Sequence, residues 1–284
     1  RQRQMCIRDR LNSVRRQARR DRQTTCGSTT LEEFLLLARR LRTDGDRVFI
    51  VLHLFSGRRR CGDLQDALER ESALASLEVV VVSVDLVSDH PWDLACPETF
   101  SRLMEGASDG CVDALVMGPP CSTLSAARHL PGGPPPVRGR LEQFWGLEGL
   151  EGAAEERVSE ANVLYLNAMA LADRVSALGG AYVWEHPADR GPPVASIWVQ
   201  PEMLELEDRC GAHRAIFDQC MLGAPTIKKT CLSGNIDGLG DLDGLTCGSH
   251  THQKGHGKDE RGRFRTSLMQ EYLSLIHISE PTRP

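Results

Sequence analysis

Asp113-Ala114-Leu115-Val116-Met117-Gly118-Pro119-Pro120-Cys121 decides how this chain is read. A short apolar run that ends in glycine and two prolines reads as a buried strand stopping at a sheet edge, because proline lacks the N–H a central strand needs. The prolines stiffen the loop, so the side chain that follows is held in a fixed place at the strand's exit. Cysteine is most often a small buried packing residue, but in a proline-framed loop Cys121 reads as a displayed thiol, a nucleophile.

Upstream, Val48-Phe49-Ile50-Val51-Leu52-His53-Leu54-Phe55 is nearly continuous and apolar, the texture of a strand buried on both faces of a parallel sheet. The same texture returns at Val79–Val84 and Ala181–Trp184, with helical spacing over Leu64–Glu71 and Glu155–Leu178. Thr29 or Thr30 can cap a further helix whose stripe is Leu31, Phe34, Leu35, Ala38 and Leu41. Strand and helix alternate, which predicts an α/β fold: a doubly wound, mostly parallel sheet with right-handed crossovers and its chemistry at the carboxyl ends of the strands.

Each strand exit then offers something. After the first come Phe55-Ser56-Gly57, where glycine lets a ligand approach the backbone, and Arg58-Arg59-Arg60, which opens the next helix; taken alone these residues read better as a plain strand-to-helix turn. The second ends in Asp85, the usual place of a ribose partner or of a helix cap. Asp93, in Trp92-Asp93-Leu94, adds a carboxylate near the third strand's exit that suits an amino group or a turn. Glu185, in Val183-Trp184-Glu185-His186-Pro187, brings a carboxyl group to the edge that displays Cys121, unless it is merely a solvated strand end. A thiol beside a carboxyl group suits addition to an electron-poor ring, with the acid engaging a ring nitrogen.

The bulk numbers exclude several classes. At 284 residues and 40% hydrophobic content the chain holds one sizeable α/β domain. No apolar run reaches the roughly 18 residues a membrane span needs, and no signal-peptide pattern stands out, so an intracellular protein with no membrane partner is expected, nucleus or cytoplasm unresolved. Ten cysteines without a C-x-x-C pair argue for reduced thiols. The net charge of −5 includes +3 from Arg1–Arg10 and zero from Leu275–Pro284 and becomes −8 without them, which argues against indiscriminate wrapping of nucleic acid. The tract Arg15, Arg16, Arg19, Arg20 and Arg22 reads as a solvated helix face or a phosphate-binding stretch.

Five segments follow. Residues 1–10 and 275–284 resemble translated sequencing adapter and are set aside. Residues 11–46 form a basic, helical extension, 47–236 the core, and 237–274 a Gly/His-rich loop and C-terminal piece. Pro131–Gly139 and Asp237–Gly255 read as surface loops, the first a linker or a lid over the site. In the second, Cys247, His250, His252 and His256 fall in a C-x2-H-x-H-x3-H arrangement of zinc-type ligands, but the spacing is tight and so polar and glycine-rich a stretch reads rather as a flexible or phosphate-contacting loop.

Taken in order over roughly Val48–Leu232, these segments resemble the DNA cytosine-5 methyltransferase family. His53-Leu54-Phe55-Ser56-Gly57 is similar to its cofactor-binding motif, Gly118-Pro119-Pro120-Cys121 with Ser125 to its nucleophile loop, Trp184-Glu185-His186-Pro187 to its Glu-Asn-Val motif, and Gly223–Thr230 to its Gln-x-Arg-x-Arg segment, with Lys228 at the first arginine. Arg59 stands at the family's second glycine, His186 at its asparagine and Thr230 at its second arginine, and the region after Leu232 is short for its target-recognition part. The resemblance implies a methyltransferase-type sheet and S-adenosyl-L-methionine as cofactor, held by Phe55, Ser56, Gly57, Asp85, Asp93 and Pro119. It implies DNA as partner, contacted by Ser125 and Lys228. Cys121 would attack C6 of a flipped cytosine while Glu185 assists at N3. Two alternatives stay open: a catalytically degenerate nucleic-acid-binding module within a mobile-element polyprotein, which the arginine run favours, and an amino-nitrogen methyltransferase, against which Cys121 speaks.

Overall fold

The computed structural model describes residues 35, 36, 39, 48–58, 62–75, 78–87, 92–224, 226–248, 251 and 252. The adapter-like ends, the Arg15–Arg22 tract, Arg59, Arg60, His250, His256 and most of the expected N-terminal helix lie outside them. Of that helix, Leu35, Leu36 and Arg39 are helical, and Arg39 pairs with Glu105 and Asp109.

Among the described residues six strands form one sheet: β1 (Val48–Leu54), β2 (Glu78–Val84), β3 (Ala114–Met117), β4 (Ala181–Pro187), β5 (His213–Asp218) and β6 (Lys229–Gly234), in the order β2-β1-β3-β4-β6-β5. The pairs β1–β2, β1–β3 and β3–β4 are parallel, whereas β6 runs antiparallel to both β4 and β5. Five strands therefore point one way, and the expected doubly wound, mostly parallel α/β sheet is present. The order reverses between β1 and β3, so the crevice of an open α/β sheet opens above these two strands.

Four helices make the crossovers: α1 (Leu64–Ala75), α2 (Pro97–Ser108), α3 (Ala153–Ala177) and α4 (Pro201–Cys210). The sequence reading places no element at α2, α4, β5 or β6, although local signals exist. Pro97 and Pro201 open α2 and α4, followed by Glu98 and Glu202 in the first turns, and α4 stops at Gly211 with a left-handed φ of 62°. Both helices are short, and their apolar stripes (Phe100, Leu103 and Ala107; Met203 and Leu206) make weak periodic signals.

The core is the layer between the sheet and the α2–α3–α4 face, built on Leu52, Leu54, Leu115, Met117, Tyr182 and Trp184 from the sheet and Tyr165, Ala168, Met169 and Ala172 from α3. Helix α3 is buried well beyond one stripe because sheet and flanking helices enclose it. It spends two polar residues on loops: Asn162 Nδ2 donates to Trp145 O at 2.7 Å and Asn167 Nδ2 to Leu94 O at 2.8 Å.

The stretch read as a surface loop from Asp237 is more firmly held than expected. Leu239, Leu242 and Leu245 pack with Ala215, Phe217 and Leu232, and the chain pairs along β5. Ile216 N donates to Asp243 Oδ1 at 2.8 Å, Gly244 N to Ile216 O at 2.9 Å and Asp218 N to Leu245 O at 2.9 Å. This strap covers the edge strand, a common solution to an unpaired ladder. A leucine every third residue among Gly and Asp is easily taken for loop composition alone.

Candidate active site

A cavity of about 330 Å³ opens at the carboxyl ends of the strands, beside the switch between β1 and β3. Phe55 and Gly57 reach it from β1, Val84, Asp85 and Leu86 from β2, and Trp92, Asp93 and Leu94 from the turn before α2. The β3 exit contributes Gly118, Pro119, Pro120, Cys121 and Ser122, α3 contributes Leu164, β4 Glu185, and the entry to β6 Lys228. Strand exits more than 60 residues apart in sequence thus converge on one space, as the winding of the sheet requires.

One half of the cavity is backbone, aromatic and acidic. Phe55 takes a φ of 60°, left-handed for a bulky residue, and such strain persists only where the surroundings enforce it. The turn is tied to β2 by Phe55 N donating to Val84 O at 2.8 Å. Gly57 follows with φ 71° and open space where a side chain would stand. Its N–H donates to Asp85 Oδ2 at 2.9 Å, while Val87 N donates to Asp85 Oδ1 at 3.0 Å. Asp85 therefore braces both the β1 and β2 turns. Asp93 accepts from Ala95 N at 2.8 Å and starts the turn into α2, so it serves the fold while facing the cavity.

The other half is built around the thiol. Tyr165 Oη donates to Pro120 O at 2.6 Å and lies 3.3 Å from Nε2 of His186, so one phenol ties the proline loop to β4. Burial holds His186 far below the ordinary imidazole range, at about 3, with the Lys228 ammonium a lesser cause, so the ring is neutral. Burial raises the Cys121 thiol above its ordinary value; Lys228 pulls it down and Glu185 pushes it up. Lys228 Nζ is 3.2 Å from Glu185 Oε1, with both side chains mostly covered. The resting thiol is thus protonated at neutral pH, and its reactivity responds to the charge pair beside it.

Two expected site residues do other work. Ser125 Oγ accepts from Ala127 N at 3.2 Å and caps the short helical turn Ala126–His129, and Ser56 Oγ approaches Gly57 O at 3.4 Å. Neither lines the cavity. Arg138, in the stretch read as linker or lid, is instead an anchor. It is 2% exposed and donates to Thr123 Oγ1 at 2.9 Å, Asn162 Oδ1 at 2.7 Å and Phe144 O at 2.8 Å, while burial lowers its pKa to about 10. Through Thr123 it braces the turn that follows Cys121. Of the histidine-rich cluster, Cys247 and His252 are described, and Cys220 joins them.

The chain matches no protein-family profile and no curated protein. Among solved structures, it is similar to a mutant of DNMT2 from Spodoptera frugiperda, with 12% sequence identity and a TM-score of 0.37 over 73% of this chain and 57% of that one. The chain spans little more than half the length of that protein. No helix among the described residues is long and apolar enough to cross a membrane.

Proposed function

We propose that this chain is an S-adenosyl-L-methionine-dependent DNA (cytosine-5-)-methyltransferase in which Cys121 is the nucleophile. The observation that carries the reading is that Cys121, Glu185 and Lys228 share one cavity with Phe55, Gly57, Asp85 and Asp93.

A nucleoside cofactor fits the residues present. The cavity's volume of about 330 Å³ lies within the range of small-ligand sites, and its apolar walls, Phe55, Trp92, Leu94 and Pro119, suit a purine. Asp85 suits a ribose and Asp93 an exocyclic amino group. S-adenosyl-L-methionine, when bound, supplies an electrophilic methyl group.

The chain's own residues do the rest. A cytosine swung out of the helix presents its C6 face to Cys121 and its N3 to Glu185. Cys121 first loses its proton to solvent; thiolate addition then forms an S–C6 bond and pushes electron density to C5, and Glu185 stabilises the ring at N3. Methyl transfer to C5 would leave the cofactor as its neutral thioether; a base then removes the C5 proton, and the returning electron pair expels the Cys121 thiolate. Lys228 holds the Glu185 carboxyl in place and favours the thiolate through its charge. Tyr165 and the proline frame fix the thiol's position without touching substrate.

A DNA duplex carrying 5-fluorocytosine, offered with S-adenosyl-L-methionine, tests this, because fluorine at C5 prevents the final elimination. A covalent complex that depends on the cofactor and is lost in Cys121→Ser supports the reading. Binding of DNA with neither cofactor binding nor adduct supports instead the degenerate nucleic-acid-binding module, to which the exposed Arg58 beside Gly57 lends some support.

A further inference from the structure

Three soft or borderline donors converge where no part of the methyl-transfer reading needs them. Cys220 sits on the turn Gln219–Leu222 that leaves β5, while Cys247 and His252 come from the end of the strap along that strand. Their ligand atoms all lie within 4.8 Å of one another, and Cys247 Sγ is 3.4 Å from His252 Nε2. Two ligands on a tetrahedral zinc, with Zn–S of about 2.3 Å and Zn–N of about 2.0 Å, stand roughly 3.5 Å apart. The Cys247–His252 separation matches that spacing.

We propose that Cys220, Cys247 and His252 bind a structural zinc ion that clamps the strap to the turn after β5. Two thiolates and an imidazole select zinc over calcium or magnesium, which take oxygen ligands. Water or one further donor completes the tetrahedron.

The backbone supports the site without the ion's help. Asp218 Oδ2 accepts from Cys247 N at 2.9 Å, and Asp218 N donates to Leu245 O, so the strap is registered against β5 just before its first ligand. Cys220 is buried, and a bound cation replaces its thiol proton. Binding thus expels a proton from each thiol and needs no oxidant.

Position gives the clamp its significance. Gln219 N donates to Lys228 O at 3.0 Å, next to Cys220 in the chain. The ion therefore fixes the base of the loop that carries Lys228 to Glu185. It is a positioning site whose ligands lie outside the cavity lining, and it stands whether or not the chain transfers methyl groups.

Full-length protein purified under reducing conditions is expected to carry about one zinc per chain by elemental analysis. Replacing it with Co²⁺ should give tetrahedral d–d bands and a thiolate-to-cobalt charge-transfer band. That band should fall by about half in Cys220→Ser or Cys247→Ser, as one of two thiolates is removed, and should persist with shifted d–d bands in His252→Gln. If a serine variant fails to fold, the His252→Gln spectrum and chelator-induced loss of thermal stability in the parent protein still decide. Absence of metal together with a cobalt titration lacking the charge-transfer band overturns the proposal. So does a band indifferent to both serine substitutions, or a Cys220–Cys247 disulfide found by non-reducing mass spectrometry of the native protein.

Discussion

Lys228 Nζ lies 3.2 Å from Glu185 Oε1, and both groups act electrostatically on the thiol of Cys121. The cation lowers the thiol's pKa and the carboxylate raises it, so the two substitutions should move thiol reactivity in opposite directions. The pH profile of Cys121 alkylation is expected to shift upward in Lys228→Gln and downward in Glu185→Gln, with Lys228→Arg near the parent. Measuring iodoacetamide modification by mass spectrometry checks this without any assumption about substrate. Equal profiles in the parent protein and both variants would show that the pair does not govern the thiol.

His186 is buried and neutral with a pKa of about 3, whereas in the unfolded chain it titrates near its ordinary 6.5. A depressed folded value means that this residue's contribution is present above the unfolded pKa and is lost as pH falls from about 6.5 towards 3, because only the unfolded chain takes up the proton. Its share of the slope is roughly 1.4 kcal/mol per pH unit in that window. Urea denaturation of His186→Asn should therefore show a shallower loss of stability between pH 6 and 4 than the parent.

Tyr165→Phe removes the donor to Pro120 O and the partner of His186 while retaining the ring that stacks on Trp184 with centroids 6.3 Å apart. Leaving these buried groups without the phenol should cost about 1–3 kcal/mol. Because the lost bond holds the proline loop, Cys121 should also become more accessible to bulky maleimides. A variant that loses stability but keeps the parent's maleimide rate would limit Tyr165 to packing.

Gly57 has a φ of 71° and open space where its side chain would stand. Gly57→Val should lower stability by only about 1–2 kcal/mol, the expense of a left-handed backbone. On the proposed reading it should weaken S-adenosyl-L-methionine binding much more, at least tenfold by calorimetry, by filling space beside Asp85. Unchanged affinity would move the cofactor away from the β1 turn.

Much of this was legible in the sequence because the exits of parallel strands announce themselves. Ala114–Met117 is apolar, short and closed by Gly-Pro-Pro, and it forms β3 over those same four residues. Cys121, Glu185, Asp85 and Asp93 each sit next to a strong local signal, and the fold gathers them. Tyr165 left no such trace. It is one apolar-looking residue in a long buried helix, and its role depends on a carbonyl 45 residues away. Arg138 lay in a Gly-Pro stretch whose composition reads as surface, since composition cannot reveal that a guanidinium turns inward to four neutral acceptors. Ser125 was expected from motif spacing alone, and spacing does not say whether a hydroxyl faces a ligand or the next turn's N–H.

Within one turn of α3, Leu164 lines the cavity, Tyr165 grips the loop bearing Cys121, and Asn167 grips the turn bearing Asp93. That turn works as a gauge block: a single rigid rod sets the separation between the thiol side of the cavity and the acidic side. Loops around the rim can vary in length or sequence without altering that separation. A slip of one residue in α3 would misplace both sides at once.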